Sequence, residues 1–418
     1  VTYPLIDDEL VAFCAGKQAV LLIEEGQPEY IEQALNTILR HADVQTRVHG
    51  KDVLPRAGEL TGQVLLDGIS AFLRQQAPEL VPSDTSARDT ALAAGKAAGA
   101  ALANVVPPRP PGFCTGCPER PVFTAMKLIQ RELGDFHVSC DIGCHLFSIL
   151  PPFNIGNTTM GYGLGASGGA AFNVASDKRT ISVMGDGGFW HNGLTSGIGN
   201  AVFNENDNVI VIVDNGYSAA TGGQDILSSL AENPARSTKN PIAKAVKGVG
   251  AKWVKTVHTY DLAKMTLTLR TALTTPAKGP KVIIARSECM LNRQRREKPL
   301  FNQRRKDGER VVRERFGVDP DTCTGDHSCI RLSGCPSLTI KDNPDPLRSD
   351  PVAYVDNSCV GCGVCGEIAH AAVLCPSFYR ADIVYNPTKT DRWLERVRNR
   401  GIGFLQDRRD RQLARHAF

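Results

Sequence analysis

The segment TISVMGDGG, residues 180–188, joins an apolar strand to a glycine-rich turn, and it decides the fold of this chain. A helix-length segment, residues 192–204, separates it from a second apolar strand at 208–213, which runs into DNGY at 214–217. Apolar strands that alternate with helices are typical of a parallel, doubly wound sheet. We therefore predict an α/β domain of this class over residues 112–290.

The turn after the first strand has the composition of a diphosphate site. Glycines at the end of a strand let backbone N–H groups approach a diphosphate closely. Asp186 in this turn can ligate the magnesium ion that bridges the phosphates. A Gly-Asp-Gly alone is weak, because ordinary turns contain it. Asn215 strengthens the prediction, because the carboxyl ends of adjacent parallel strands face one crevice.

The cysteines are concentrated in one short stretch. Seven of the thirteen lie between residues 323 and 375, a density that favours metal ligands over disulfides in a reducing compartment. The sequence starts without a basic-then-apolar secretory signal, so we expect the cytoplasm, where thiols stay reduced.

Residues 359–365 read CVGCGVC, and this spacing indicates an iron–sulfur cluster. Two-residue gaps let three thiolates converge on one face of a cubane, whereas a four-cysteine zinc knuckle needs two paired motifs. In two-cluster ferredoxins a Cys-Pro from the other motif supplies the fourth ligand. The first 4Fe–4S cluster is thus assigned to Cys335, Cys359, Cys362 and Cys365.

The preceding motif, CTGDHSC at residues 323–329, has an aspartate where a second cysteine is expected. A carboxylate is a harder and weaker ligand for this iron than a thiolate. The segment is similar to aspartate-variant ferredoxins, which implies either a 4Fe–4S cluster with one labile iron or a 3Fe–4S cluster. Its ligands would be Cys323, Cys329 and Cys375, with Asp326 as the candidate fourth.

Composition divides the rest of the chain into segments around these two motifs. The basic stretch 292–316 is interpreted as a solvated linker or helix face, with a docking surface as the alternative. The segments are an α/β fragment at 1–80, with a strand at 19–25 and a helix at 30–39; an Ala/Pro-rich linker at 81–111; a basic linker at 291–318; a two-cluster ferredoxin-like α+β module at 319–380; and a basic tail at 381–418.

Charge and hydropathy exclude two classes of partner. The 48 basic and 44 acidic side chains leave a formal charge of +4, which gives no reason to expect nucleic acid. No apolar run approaches the roughly 20 residues that a membrane helix needs. We expect neither a nucleic-acid nor a membrane partner.

Four further motifs occur in the order found in the 2-oxoacid:ferredoxin oxidoreductase superfamily. They are FCTGCPER at 113–120, DIGC at 141–144, MGYG at 160–163 and TGGQ at 221–224. The first two are most similar to the thiamine-diphosphate and iron–sulfur portion of the indolepyruvate type, the alpha-type subunit. Residues 1–65 resemble the end of the domain that precedes it in that enzyme, so the resemblance covers most of the chain.

The resemblance implies thiamine diphosphate bound through Mg²⁺. The metal ligands would be Asp186, the Asn215 side chain and the Tyr217 carbonyl, completed by two diphosphate oxygens and a water. The implied cofactor-binding residues are Asp141, Ile142, Gly143, Cys144, Gly161, Gly163, Gly185, Asp186, Gly187, Gly188, Asn215, Tyr217 and Thr221. No side chain need act as a nucleophile. His191 is a weak candidate for a substrate contact, and a surface histidine is the alternative.

A third cluster is a further implication of the family. The candidate ligands are Cys114, Cys117, Cys144 and Cys289. The alternative is a structural or zinc-binding pair at Cys114 and Cys117, with Cys289 a buried apolar residue. Cys14 and Cys140 have no partner motif, so we predict that they are core cysteines.

The implied reaction is the oxidative decarboxylation of a 2-oxoacid to acyl-CoA and CO₂, with electrons passed through the clusters to ferredoxin. The loop YSAAT, residues 217–221, lacks the asparagine of pyruvate enzymes, which favours an arylpyruvate such as indolepyruvate. In that superfamily, the glutamate that activates the aminopyrimidine ring of the cofactor belongs to a pyrimidine-binding domain. No segment of this sequence resembles that domain. We therefore expect pyrimidine-binding and gamma-type partner domains or subunits, and an oligomer.

Two other functions compete with this one. A non-oxidative thiamine-diphosphate lyase or carboligase would have little use for a ferredoxin-like module. An electron-transfer or assembly subunit with a vestigial cofactor site would have no reason to keep both Asp186 and Asn215.

Overall fold

A computed structural model describes residues 4–82, 84, 86–103, 105–106, 111–229 and 235–415. The chain divides into two compact units, Val1–Arg109 and Pro110–Phe418. Within the described residues, no helix is long and apolar enough to cross a membrane.

The first unit is a small α/β structure. Strands β1 (Ala19–Leu21) and β2 (Arg47–His49) pair in parallel, with Val20 opposite Val48. The strand predicted at 19–25 is therefore shorter than expected. It is only half-buried, because a sheet of two strands is too small for the rest of the unit to cover on both faces. The helices are α1 (Asp7–Cys14), α2 (Tyr30–His41), α3 (Gly62–Gln76), the 3₁₀ turn Pro78–Leu80 and α4 (Ser86–Leu102).

The core of this unit is correspondingly small. Leu35 and Leu39 are spaced one helical turn apart on α2 and pack with Cys14 of α1, as a core cysteine would. Helix α4 lies in the segment predicted as an Ala/Pro-rich linker, and it has no buried residue. Residues 83, 85, 104 and 107–110 of the predicted Ala/Pro-rich linker lie outside the described residues.

The second unit contains a six-stranded parallel sheet in the order β4-β3-β5-β6-β8-β7. The fully buried central strands are runs of valine and isoleucine, as strands covered on both faces require. This confirms the predicted doubly wound α/β class. The strands are β3 (Val138–Cys140), β4 (Thr158–Thr159), β5 (Ile181–Gly185), β6 (Val209–Asp214), β7 (Trp253–His258) and β8 (Lys281–Arg286).

Helices cover both faces of the sheet. Alternate residues of β6 show this, because Val211 belongs to the core under α5 and α10, and Ile212 belongs to the core on the opposite face. The helical segments are α5 (Arg120–Leu133), a 3₁₀ helix (Cys144–Ile149), α6 (Gly165–Asn173), α7 (Asp186–Gly188), a π-helix (Phe189–Gly199), α8 (Asn200–Phe203), α9 (Ile242–Gly248) and α10 (Leu262–Thr274).

The remaining part of this unit contains two small antiparallel sheets, β9–β12 and β10–β11, and its dense cysteines lie on the loops and short helices between the strands. The sequence did not predict strand β9, which starts inside the basic linker, or its pairing with β12, which ends in the basic tail. The elements are α11 (Met290–Lys306), β9 (Val311–Val318), α12 (Ser328–Ser333), β10 (Leu338–Lys341), β11 (Val352–Val355), α13 (Val364–Val373), β12 (Phe378–Tyr385) and α14 (Lys389–Ala414).

The cysteine-bearing elements share a core with the parallel-sheet domain. Leu332 of α12 and Ile368 of α13 pack in the same hydrophobic cluster as α5. The Thr124 hydroxyl of α5 donates a hydrogen bond to the Leu332 carbonyl of α12 at 2.6 Å. The cysteine-bearing elements therefore pack directly against the parallel-sheet domain.

Helix α14 is long and has no buried residue. Thr388 and Asp391 form a reciprocal capping box at its start, and Arg310 pairs with Asp391 at 2.7 Å. Trp393 of this helix is 56% exposed.

Candidate active site

The site forms where β5 and β6 end side by side. Gly185 is opposite Val213 in the parallel register, so the turns that follow the two strands meet. The buried Asp186 carboxylate accepts hydrogen bonds from the backbone N–H of Gly187 at 2.9 Å and of Gly216 at 2.6 Å. The crevice predicted from the sequence is therefore present at the expected edge of the sheet.

Asn215 lies next to this carboxylate and is 6% exposed. Its Oδ1 accepts a hydrogen bond from the Tyr217 N–H at 3.2 Å, and its carbonyl accepts one from the Cys289 N–H at 2.9 Å. The neighbouring Asp214 is neutralised by Arg286 at 2.7 Å. Asp186 and Asn215 line the same cavity.

The environment of Asp186 suits a bound cation. Burial raises the pKa of this carboxyl well above its ordinary value, and the Asp214 charge raises it further, whereas the N–H donors of Gly216 and Gly187 lower it. A buried carboxylate without a counter-charge is costly. A divalent cation would reverse that effect, so the donor set fits Mg²⁺, which prefers oxygen ligands.

Asp141 supports the site from behind. It is fully buried, and its carboxylate accepts a hydrogen bond from the Gly163 N–H at 2.8 Å and contacts His145 Nε2 at 2.5 Å. Gly163 has a φ of +81°, and a Cβ there would lie 2.5 Å from the Gly188 carbonyl oxygen. This glycine therefore permits the close approach of two backbone segments beside the turn.

A small cavity opens between these turns. The predicted residues that line it are Ile142, Gly143, Cys144, Gly185, Asp186, Gly187, Gly188, Asn215 and Tyr217. Asp141 and Gly163 do not line the cavity but lie behind the residues that do, and Gly161 packs against Leu164. Thr221 lies in the exposed loop beyond, where its hydroxyl is 2.5 Å from Gln224 Oε1.

Glu119 lines the same cavity, and the sequence analysis missed it as a site residue. It is 3% exposed, and its Oε2 atom has no hydrogen-bond partner among the described residues. Burial raises its pKa from 4.5 to about 7, with His145 lowering, Asp141 raising and the Asn215 side chain lowering that value. It belongs to the motif at 113–120, but nothing in that motif distinguishes it from a surface carboxylate.

A larger cavity of about 600 Å³ adjoins the first, and Gly187, Tyr162 and Ser218 line both. His191, the candidate for a substrate contact, lines the larger one, with its ring centre 5.1 Å from that of Tyr162. Trp190 is fixed there by a 3.0 Å hydrogen bond to the Ser228 hydroxyl. The aromatic side chains Tyr162, Trp190 and His191 thus line the larger cavity next to the smaller one.

The cysteines of the C-terminal part lie in two groups. Cys335, Cys359, Cys362 and Cys365 line one cavity. The second group is recognised by its electrostatics. Burial raises the pKa of Cys329 to about 11, and the charges of Cys375, Cys323 and Asp326 raise it too.

The Asp326 carboxylate has a hydrogen-bond partner within the protein, Ser328, and a role as an iron ligand must be compatible with that contact. Its carboxylate accepts hydrogen bonds from the Ser328 N–H at 3.0 Å and the Ser328 hydroxyl at 2.7 Å, at the start of α12. These bonds lower its pKa. The carboxylate therefore forms an Asx turn with Ser328 just before α12, whether or not it also binds iron.

A third group includes Cys144, which lines the small cavity beside Asp186. Burial raises the pKa of Cys144 to about 12, and the charges of Glu119, Cys289 and Cys114 raise it further. Cys117 also interacts electrostatically with Cys144. The four cysteines suggested as a third ligand set are thus neighbours. Cys140 is a fully buried core residue.

Within the residues that the structure describes, no three His, Cys, Asp or Glu side chains are arranged to hold a single metal ion. A cubane bonds each of its four cysteines to a different iron, so its ligands are spread more widely than those of one ion. The Mg²⁺ ligands suggested above include a single carboxylate.

Residues 141–285 match the family described as thiamine pyrophosphate enzyme, C-terminal TPP binding domain. Indolepyruvate oxidoreductase subunit IorA of Pyrococcus abyssi is 28% identical over 382 residues, which are 88% of this chain and 54% of that protein. The IorA subunit of Archaeoglobus fulgidus is 34% identical over 280 residues, 66% of this chain and 41% of that protein. The chain thus spans about half the length of these relatives.

Among solved structures, a 2-oxoglutarate:ferredoxin oxidoreductase from Magnetococcus marinus is 21% identical, with a TM-score of 0.38 over 44% of this chain and 65% of that one. With a TM-score below 0.5, this likeness does not define the overall fold. The sequence similarities to IorA and the matched domain stand independently of it. By these, the predicted resemblance to the 2-oxoacid:ferredoxin oxidoreductase superfamily is confirmed, and the chain is a relative of the IorA subunits of indolepyruvate oxidoreductases.

Proposed function

We propose that this chain is the thiamine-diphosphate and iron–sulfur component of a 2-oxoacid:ferredoxin oxidoreductase that acts on an arylpyruvate such as indolepyruvate. The reaction is oxidative decarboxylation to acyl-CoA and CO₂, with coenzyme A as co-substrate and ferredoxin as electron acceptor. The similarity to IorA and the thiamine pyrophosphate domain at 141–285 support the reaction class.

One observation carries the proposal beyond that class. Cys144 lines the diphosphate cavity and also belongs to the group formed with Cys114, Cys117 and Cys289. A cluster held there would lie directly beside the cofactor. The groups led by Cys335 and Cys323 follow on elements that share a core with the same domain. Such a series of centres has a purpose only if electrons leave the cofactor.

Bound thiamine diphosphate supplies a carbon nucleophile for the 2-oxo group and a ring that takes up the electrons left by decarboxylation. The residues of this chain position it. Asp186, the Asn215 side chain and the Tyr217 carbonyl would hold Mg²⁺, and the N–H groups of the turn at 185–188 would contact the diphosphate. Asp141 fixes the adjoining loop through Gly163.

The cysteine groups would hold three clusters. We assign a 4Fe–4S cluster to the Cys335 group, a 4Fe–4S or 3Fe–4S cluster to the group with Asp326, and a third cluster to the group with Cys144. Residues 319–380, with β9, would form the ferredoxin-like module. The clusters would supply one-electron carriers between the cofactor and ferredoxin.

The remaining parts of the enzyme would come from partners. We expect a pyrimidine-binding domain that supplies the helper glutamate, a gamma-type domain or subunit, an oligomeric assembly and a reducing, cytoplasmic setting. His191 and Tyr162 would contact the substrate from the larger cavity, where an aromatic wall suits an indole ring.

The test is viologen reduction by the native complex, purified anaerobically through a tag on this chain. Indolepyruvate with coenzyme A should reduce methyl viologen, and the Asp186→Asn variant should not. A non-oxidative lyase would form product without reducing the dye. A subunit with a vestigial cofactor site would do neither, and either result would overturn the proposal.

A further inference from the structure

Arg120 is the first residue of α5 and one of the largest fully buried side chains of the protein, with 1% exposure. Its Nη1 donates a hydrogen bond to the Ser333 carbonyl at 3.0 Å, at the end of α12. Its Nε and Nη2 atoms are buried and have no hydrogen-bond partner among the residues that the structure describes. Two nitrogens of a buried guanidinium therefore have unused N–H groups.

Arg120 is also a lining residue of a cavity whose lining is rich in sulfur. Arg120 lines it together with Cys335, Cys359, Cys362 and Cys365. Burial alone would lower the pKa of Arg120, but the charges of Cys335, Cys362 and Cys117 raise it by more. The Arg120 guanidinium thus interacts with two cysteine groups. One is the group of Cys144, to which Cys117 belongs, and the other is the group of Cys335 and Cys362.

A buried guanidinium needs an anion and acceptors for its donors. A purely structural role, joining α5 to α12 through Ser333, uses one N–H and leaves Nε and Nη2 unexplained. A cluster held by four thiolates is an anion, gains a further negative charge on reduction, and offers sulfur acceptors. Net charge and hydrogen bonds to sulfur are among the factors that set cluster potentials.

We propose that Arg120 donates its free N–H groups to the cluster bound by the Cys335 group and raises the reduction potential of that cluster. Arg120 is a positioning residue for electron transfer, because it stabilises the reduced state of the cluster in the Cys335 group, the group next to that of Cys144. This inference rests on the proposed function, since it requires that the cluster exists.

The test is a dithionite redox titration of the anaerobic native complex, followed by electron paramagnetic resonance. The signal of this cluster is identified as the one that changes in a Cys362→Ser variant. In Arg120→Met, the ratio of reduced to oxidised cluster at a fixed potential should fall at least tenfold, a shift of about 59 mV for a one-electron couple. Arg120→Lys, which keeps the charge, should recover most of the shift.

Arg179→Met is the matched control, because it removes a mostly buried arginine that contacts Asp207 and the Ala272 carbonyl, not cysteines. Its cluster potentials should not change. Iron and acid-labile sulfide are measured in every sample. An iron-free native complex would refute the proposed function, whereas a loaded complex with an unshifted potential in Arg120→Met would overturn only the role of Arg120.

A second measurement needs no variant that could fail to fold. The native complex is labelled with arginine that carries ¹⁵N only in its guanidinium, and pulsed electron paramagnetic resonance is recorded on the reduced cluster. A ¹⁵N hyperfine coupling is expected. The absence of that coupling would contradict the contact between Arg120 and the cluster.

Discussion

The Asp186 carboxylate accepts a hydrogen bond from the Gly216 N–H at 2.6 Å, and this bond joins the turns that follow two neighbouring parallel strands. The bond holds the Asp186 carboxylate at the cavity that Asn215 also lines. A single short contact thus organises the crevice to which the cofactor is assigned.

Replacing this carboxylate should therefore remove metal-dependent cofactor binding. In Asp186→Asn we expect the affinity of the native complex for thiamine diphosphate in the presence of Mg²⁺ to fall about 100-fold or more, since even indirect partners of a metal site are worth 10- to 100-fold. Calorimetric titration measures it. Asp177→Asn, at an exposed position, is the control. Equal affinities in the two variants would remove Asp186 from the metal site.

Glu119 predicts a pH dependence of stability in the metal-free chain. Its folded-state pKa is raised from 4.5 to about 7, mainly by burial, so the folded state holds a proton that the unfolded state has released between those values. Stability therefore falls as the pH rises from about 4.5 to about 7. Glu119→Gln should lack this loss, and its advantage over the wild type should grow by about 3 kcal/mol between pH 4 and pH 8.

Denaturant unfolding followed by tryptophan fluorescence measures this effect, because Trp190, Trp253 and Trp393 all lie in the second unit. Glu395→Gln, which removes an exposed carboxylate, should behave as the wild type does at both pH values. If the Glu119→Gln advantage were the same at pH 4 and pH 8, the raised pKa would be disproved.

Asp326 is expected to combine a turn-forming contact with Ser328 and an iron ligand, and two variants separate these roles. Asp326→Cys should convert a 3Fe signal in electron paramagnetic resonance into a 4Fe signal. Ser328→Ala removes the hydroxyl that donates to Asp326 at 2.7 Å, so it should cost about 1 kcal/mol of stability without altering the spectrum. An unchanged spectrum in Asp326→Cys would leave Asp326 with the contact to Ser328 alone.

The third cysteine group predicts a specific loss of iron. Cys289→Ser should lower the iron content of the anaerobic complex by about four atoms per chain, the content of one cubane. Cys140→Ala, which changes a buried cysteine of the core, should leave the iron content unchanged. If Cys289→Ser kept all of its iron, the alternative of a buried apolar cysteine would be favoured.

The sequence predicts the parallel sheet well because its central strands are buried on both faces. Strands β5, β6 and β8 are continuous apolar runs that need no knowledge of their neighbours. Strand β9 was missed because its arginines and glutamate resemble a solvated linker, and its partner β12 lies about 60 residues further on, beyond any local pattern.

The site shows the same division. Asp186 and Asn215 follow apolar strands, so their meeting could be predicted from the parallel sheet alone. Glu119 and Arg120 occur in a motif noticed for its cysteines, but their burial depends on α5 packing against distant elements such as α12. Burial of a charged side chain is a tertiary property, so the sequence could not distinguish these two residues from surface charges.

The most direct test of the central claim is rapid-freeze electron paramagnetic resonance of the oxidised native complex mixed anaerobically with indolepyruvate. The account predicts a reduced iron–sulfur signal within the turnover time in the wild type and none in Asp186→Asn, because the electrons originate at the cofactor that Asp186 anchors. A wild-type complex that contains no iron, or a cluster signal of equal size in both proteins, would contradict it.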